Sequence, residues 1–130
     1  MRDDFYNLKR FVDTQELMYS QALAELQVGK KRSHWIWFVF PQTPKSGMGE
    51  KARYYAIRSK AEAEAYLEHE ILGARLIACT EAVLQHKDKP LVQIFGTELD
   101  AMKFLSSMRL FRHVGGEGSV FERAMDIFTD

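Results

Sequence analysis

The residue types best suited to chemistry are concentrated in one segment of the chain, residues 30–37, and in the glutamine that follows it. Arg32 could neutralise a phosphate or a carboxylate, and Trp37 could stack on a base or a cation. His34 could act as a general acid or base, because free histidine titrates near neutral pH, and Gln42 could hydrogen-bond a ligand. A structural interpretation is also open, in which the cations complement a helix dipole and the tryptophans fill the core.

Two further groups of residues could complete such a site. The glycine-containing loop 43–49 leads to Tyr55, whose hydroxyl could contact the same ligand. Lys103 and Ser107 lie one helical turn apart, so the lysine could activate the serine, although serines also serve close helix packing. We expect a site for a small anionic or nucleotide-like metabolite, with His34 as the candidate catalytic residue if the protein is an enzyme. The residues expected to bind the ligand are Arg32, His34, Trp37, Gln42, Tyr55, Lys103, Ser106 and Ser107.

Motifs for metals and cofactors are missing from the sequence. The four histidines are scattered, and none lies three or four residues from another, the spacing that places two metal ligands on one helix face. The single cysteine, Cys79, lies among apolar residues of a predicted helix and is interpreted as a buried hydrophobic side chain. Gly47 and Gly49 lack the third glycine and the preceding strand of a dinucleotide fingerprint. We therefore expect no metal site and no cofactor.

The composition limits the classes of protein that need to be considered. With 130 residues the chain can form one domain, 1–130, but not two separate cores. Its 18 basic and 18 acidic residues cancel, so only the short run 30–32 favours a nucleic-acid partner, which we do not expect. The longest apolar run, 35–40, is too short to cross a bilayer, and residues 1–4 do not resemble a secretory signal. We expect a cytoplasmic protein without a membrane partner.

Helix start and stop signals recur along the chain and predict an all-α fold. Asp13, Ser59 and Ser119 each precede a glutamate at capping-box spacing, and Thr97 can cap a further helix. Gly29 can end the first helix in a left-handed conformation. Between these signals, apolar residues recur at helical spacing. We therefore expect a compact, irregular or orthogonal bundle of five to seven helices.

The segment 34–40 has two interpretations. Its aromatic and β-branched residues favour a buried strand, which would give an α+β fold with a short strand at 34–40. No second segment of similar character can pair with it, and a lone buried strand would leave backbone groups without hydrogen bonds. A short buried helix ended by Pro41 is therefore preferred, with the strand as the alternative.

The chain resembles a known family in blocks that are spread over nearly its whole length. The most distinctive block is 31–42, which contains the run His-Trp-Ile-Trp-Phe-Val-Phe-Pro-Gln. It is similar to the hallmark of the domain-of-unknown-function 1810 family, DUF1810. Further blocks that resemble this family are 7–13, 55–57, 65–67, 94–96 and 103–108. A calpastatin label attached to similar sequences does not suit this composition, because calpastatin is disordered and repetitive.

The resemblance implies a small, largely helical bacterial protein and supplies no established activity, so whether the protein is an enzyme stays open. The alternative to a metabolite-binding domain is a protein-interaction module, in which the block 35–40 or the final helix anchors a partner or a second copy. Similar sequences usually continue further along the chain. On that basis Phe121, Met125 or Phe128 could be exposed, which would favour a homodimer or a looser end of the fold.

Overall fold

The computed structural model describes residues 4–129, which fold into eight α-helices and contain no β-strand. The helices are α1 (Lys9–Val28), α2 (Ile36–Val39), α3 (Glu50–Tyr54), α4 (Lys60–Glu68), α5 (Glu70–Leu84), α6 (Leu91–Phe95), α7 (Glu98–Gly115) and α8 (Val120–Phe128). The predicted all-α bundle is confirmed. The number of helices exceeds the expected five to seven because α2, α3 and α6 are single turns of 4, 5 and 5 residues. Within this described range, no helix combines the length and apolar character needed to cross a membrane.

The segment with two interpretations, 34–40, contains the short helix α2, which contacts α1, α5 and α7. Trp35, Phe38 and Phe40 are buried in the core. The Phe40 ring packs edge-on against Phe104 of α7, with ring centroids 4.9 Å apart. The preferred prediction of a short buried helix is therefore confirmed, and the alternative strand is not found between residues 4 and 129.

Four predicted helix ends are confirmed. The side chains of Ser59, Thr97 and Ser119 each accept a hydrogen bond from the backbone N–H three residues later, at the starts of α4, α7 and α8. Gly29 ends α1 with a φ of 86°, a left-handed conformation that glycine adopts without steric cost. Local sequence places these ends because a cap and its backbone partner are only a few residues apart.

The start of α1 differs from the prediction. The helix begins at Lys9 because the carboxylate of Asp4 accepts hydrogen bonds from the backbone N–H groups of Leu8 and Lys9, at 2.7 and 2.9 Å. Asp13 lies inside the helix, where it forms an exposed ion pair with Lys9 at 2.8 Å. The prediction that Asp13 caps this helix is therefore wrong.

Helices α4 and α5 meet at His69. Its Nδ1 atom accepts hydrogen bonds from the backbone N–H groups of Ile71 and Leu72, and so caps α5. Gly73 allows the two helices to approach closely, because a Cβ atom at this position would lie 2.0 Å from the carbonyl oxygen of Leu67. The break predicted around His69 is confirmed, and the close contact determines the direction in which α5 leaves α4.

A buried guanidinium holds the segment 54–56, where the chain passes from α3 towards α4. Arg10 of α1 donates hydrogen bonds to two backbone oxygens of this segment, at 2.7 and 3.0 Å, and to the Glu62 carboxylate of α4 at 2.7 Å. Its remaining N–H groups donate to two carbonyl oxygens before the start of α1, so all five donors are used. The arginine therefore joins α1, α4 and the segment between them.

The C-terminal helix α8 packs against α5 and α7. Phe121 and Met125 are buried, and Phe128 is half-buried with its ring centroid 6.3 Å from that of Phe104. The expectation that α8 would leave Phe121 or Met125 exposed is therefore wrong, because α5 and α7 of the same chain cover these side chains.

Candidate functional site

A cavity of about 530 Å³ opens between α7 and the loop that joins α2 to α3. Its wall contains Trp37, Gln42, the segment 45–52 and three residues of α7, which are Leu99, Met102 and Lys103. The volume falls within the roughly 300–1,000 Å³ that is usual for sites of small organic ligands. The cavity is therefore large enough to hold a metabolite.

Two lysines lie over the indole of Trp37 at the wall of this cavity. The Nζ atoms of Lys51 and Lys103 are 5.4 and 5.5 Å from the centre of a Trp37 ring, within the range of a cation–π interaction. Lys103 is also held by the carboxylate of Asp100 at 3.4 Å. Lys51 makes no ion pair with any residue between 4 and 129, so its charge is available to a ligand.

The loop 43–49 adds a third cation to the wall. The Nζ atom of Lys45 donates a hydrogen bond to the Ser106 hydroxyl of α7 at 2.9 Å. Glu50 is the one carboxylate among the residues that line the cavity, so the three lysines leave an excess of two positive charges there. The electrostatic potential of the cavity therefore favours an anionic ligand.

Gln42 is the most deeply buried polar residue of this wall, with 5% of its surface exposed. Its backbone oxygen accepts a hydrogen bond from the Ile57 N–H at 2.7 Å, which fixes the position of the residue. Its side-chain amide is open to the cavity and forms no hydrogen bond with another described residue. The amide therefore presents a donor and an acceptor that a ligand in the cavity could satisfy.

Asp100 links this wall to the core. Its carboxylate binds Lys103 and also the Nζ atom of Lys31, the latter at 2.9 Å with 5% of the lysine side chain exposed. The same Lys31 Nζ lies 5.1 Å from the centre of a Trp35 ring. Lys103 is thus positioned at the cavity by a carboxylate that is itself fixed by a buried cation.

A larger cavity, of about 660 Å³, lies beside the start of α1 and α5, but three of its polar side chains already have partners. Asp4 caps α1 and His69 caps α5. Asp13 is paired with Lys9. This cavity therefore offers a ligand mainly apolar surface and less specific recognition than the cavity at Trp37.

The structure divides the eight residues expected to bind a ligand into two sets. Trp37, Gln42 and Lys103 line the cavity together, and Ser106 touches its edge through Lys45. Five of the eight are not among the residues that line it, namely Ser106 and also Arg32, His34, Tyr55 and Ser107.

Arg32 and His34 are exposed, and the segment that carries them is organised by a carboxylate of α1. Glu25 accepts hydrogen bonds from the backbone N–H groups of Arg32 and Ser33, from the indole of Trp35 at 2.9 Å and from two further side chains. Burial favours a higher pKa for Glu25, but these hydrogen bonds outweigh it and lower the pKa to about 2. The structural interpretation therefore accounts for Trp35, which fills the core with its N–H satisfied.

Tyr55 and Ser107 face the interior of the bundle. The Tyr55 hydroxyl forms a hydrogen bond with the Thr14 hydroxyl at 2.6 Å, and its ring centroid is 5.8 Å from that of Phe11. Ser107 is fully buried, and Lys103 forms no hydrogen bond with it. The arrangement for a lysine-activated serine nucleophile is therefore absent.

No cluster of three or more histidine, cysteine, aspartate and glutamate side chains within residues 4–129 is arranged to hold a metal ion. The charged groups of the cavity wall are lysines and one glutamate, which suit recognition of an organic anion better than coordination of a metal.

A model of the family of proteins of unknown function DUF1810 matches residues 5–130, which is almost the entire chain. The chain belongs to this family. A solved relative of this DUF1810 protein is the conserved hypothetical protein Rv1873 from Mycobacterium tuberculosis, which is 41% identical in sequence. The similarity covers 96% of this chain and 89% of that chain, with a TM-score of 0.90. A search of curated proteins found no match.

Sequence reasoning missed several residues of the cavity in this DUF1810 protein. Lys45 and Lys51 were not among the expected residues, since neither has a neighbour in sequence that indicates a site. Leu99 and Met102 looked like core residues at helical spacing, although 63% and 64% of their surfaces are exposed. The available signal was the excess of lysines around a glycine-containing loop, and it does not distinguish a ligand site from an ordinary surface.

Proposed function

We propose that this DUF1810 protein binds a small anionic metabolite in the cavity at Trp37. The observation that carries the proposal is the Gln42 amide, which is open to the cavity and forms no hydrogen bond with another described residue. The ammonium groups of Lys45, Lys51 and Lys103 around it support an anion as the charged part of the ligand. Binding is proposed rather than a specific reaction, because His34 lies outside the cavity wall.

A thermal-shift screen against phosphorylated, carboxylated and sulfated metabolites tests this proposal. A ligand at a hundred times its dissociation constant stabilises the native state by about 2.7 kcal/mol, which raises the melting temperature by several degrees. We expect a stabilising anion, with the shift lost in Lys51→Ala and Gln42→Met. The matched control is Lys60→Ala, an exposed lysine of α4 outside the cavity, which should keep the shift. A hit that survives both cavity variants would contradict the proposed site.

A second candidate function is protein interaction, and it rests on a different observation. Leu99 and Met102 lie one helical turn apart on α7 and are largely exposed beside the cavity. The block 35–40, the sequence-based candidate for an anchor, is mostly buried and supports this role poorly. Light scattering of the wild type and of Leu99→Ser/Met102→Ser separates the candidates. A dimer that this double variant converts to a monomer would favour interaction, and a monomer in both cases would favour the metabolite.

A further inference from the structure

The cavity wall offers three kinds of contact within one space. Trp37 presents an indole, and Leu99 and Met102 add exposed apolar surface. Gln42 presents an amide, and the lysines present ammonium groups. A simple inorganic anion would use only the ammonium groups and part of the amide, and would leave the apolar surface in contact with water.

The amide of Gln42 limits further the class of ligand that suits the cavity. A glutamine side chain offers a carbonyl acceptor beside an NH₂ donor, and here both are open to the cavity and form no hydrogen bond with another residue of 4–129. A phosphate or carboxylate oxygen satisfies the NH₂ group and leaves the carbonyl unpaired. The edge of a nucleobase, which carries a donor next to an acceptor, satisfies both, as glutamine does with adenine in nucleic-acid recognition.

The cations indicate where the charged part of such a ligand would bind. Lys51 has no ion pair with another described residue, and Lys45 is held only by the neutral hydroxyl of Ser106. Lys103 is already neutralised in part by Asp100. Lys45 and Lys51 can therefore turn to a phosphate at the smallest electrostatic cost.

We propose that the ligand of this cavity is a nucleoside monophosphate, with its base edge on Gln42 and its phosphate at Lys45 and Lys51, an inference that rests on the proposed binding of a small anion. Leu99 and Met102 cover the flat face of the base, which accounts for two large apolar side chains at the rim of a cationic cavity. The cavity volume of about 530 Å³ is sufficient for a ligand of this size.

Isothermal titration calorimetry on the full chain tests the inference. AMP, GMP, CMP and UMP are compared with ribose 5-phosphate and with inorganic phosphate. At least one nucleotide should bind at least roughly tenfold more tightly than ribose 5-phosphate, because a site built to hydrogen-bond a base rejects the analogue that lacks it.

Two variants separate recognition of the base from recognition of the phosphate. Gln42→Met removes the amide at similar volume and should abolish the preference for the nucleotide, because it weakens nucleotide binding more than the binding of ribose 5-phosphate. Lys51→Met should weaken both ligands by a similar factor, since both carry the phosphate. The matched control is Gln93→Met at an exposed glutamine of α6, which should change neither affinity. Urea unfolding of each variant verifies that the fold is intact.

The outcomes distinguish this inference from the function on which it rests. Ribose 5-phosphate that binds as tightly as every nucleotide would overturn the base contact and leave the anion site standing. A different anion that binds from the metabolite screen, with no nucleotide binding, would likewise overturn only the nucleotide. Failure of every anion to bind would overturn both.

Discussion

Glu25 illustrates how one side chain can determine the conformation of a loop. Its two oxygens accept five hydrogen bonds from Gln21, Arg32, Ser33 and Trp35, which join the end of α1 to the start of α2. A carboxylate is suited to this role because it only accepts hydrogen bonds and can satisfy several donors at once. The conformation of the segment 30–37, which contains most of the residue types suited to chemistry, is therefore determined by Glu25, which lies outside it.

The charge on Glu25 makes the stability of the protein depend on pH. Its pKa is about 2 in the folded protein and 4.5 for the ordinary side chain, so the unfolded chain takes up the proton first as pH falls. The stabilisation is present above pH 4.5 and is lost as pH falls towards 2, by about 3 kcal/mol at roughly 1.4 kcal/mol per pKa unit. Urea unfolding of the wild type and of Glu25→Gln at a series of pH values measures this, and the variant should lack this part of the decline. An equal decline in both would contradict the assignment.

At Ser107, in contrast, we expect removal of a polar group to stabilise the protein. Among the buried side-chain nitrogen and oxygen atoms of residues 4–129, its hydroxyl alone has no hydrogen-bond partner. Ser107→Ala should therefore raise the free energy of unfolding by roughly 0.5–2 kcal/mol in urea denaturation, since it removes an unsatisfied group from a helix. Thr80→Val is the control, because the Thr80 hydroxyl donates to the Leu76 carbonyl at 2.8 Å and its loss should cost about 1 kcal/mol. A destabilised Ser107→Ala would show that the hydroxyl has a partner.

At the scale of the helices, the contact of α5 with the end of α4 requires glycine at position 73, because any side chain there would clash with α4. Gly73→Ala would place a methyl group 2.0 Å from the Leu67 carbonyl oxygen and force the two helices apart. We expect a loss of about 2–4 kcal/mol in the free energy of unfolding, even though alanine favours the helix. Chemical denaturation followed by circular dichroism measures it.

Gly49 offers the matched control for that substitution. No atom lies within 4 Å of a Cβ built there, and its φ of −72° suits alanine. Because the gain from reduced chain entropy is opposed by the poorer N-cap that alanine makes for α3, Gly49→Ala should change the stability by less than about 1 kcal/mol. Equal stability for Gly73→Ala and Gly49→Ala would mean that the junction between α4 and α5 can relax without cost.

The helices were more predictable than the site because their signals are local. The caps at Ser59, Thr97 and Ser119 act over three residues, and the sequence locates them directly. The pairing of Arg10 with Glu62 spans 52 residues, and no short pattern indicates it.

The residues of the cavity also differ in whether local sequence or distant contacts determine their positions. Trp37, Gln42 and Lys103 could be selected by their side-chain chemistry alone. Tyr55 and Ser107 were selected with them, but their direction depends on how each segment is rotated against the core, which the sequence pattern does not determine. Lys45 and Lys51 line the cavity only because of the course that the chain takes between α2 and α3, and local spacing does not determine that course either.

At the scale of the whole molecule, Cys79 can report on the integrity of the bundle. Its side chain is fully buried in α5, and burial raises the pKa of the thiol to about 12. In the native protein at pH 8 the thiol should therefore resist alkylation by iodoacetamide, and labelling should require unfolding of the core. The labelling rate should rise with urea in parallel with the loss of helical signal.

An exposed thiol supplies the control for this measurement. Ala61→Cys in a Cys79→Ala background places a cysteine on the surface of α4, where it should react at the rate of a free thiol in any concentration of urea. Fast labelling of Cys79 without urea would mean that α5 opens locally, independently of the rest of the bundle.

The backbone hydrogen bond between Ile57 and Gln42 has a consequence for how this family can diversify. It joins the two ends of the segment 43–56, and Arg10 holds the last residues of that segment in place. Lengthening a closed loop is inexpensive, at about 0.6 kcal/mol for each doubling of its length. Insertions and exchanges within 43–49 can therefore accumulate without disturbing the helices. Selection could reshape one wall of the cavity while the bundle stays constant, so proteins of this fold are free to acquire different ligands.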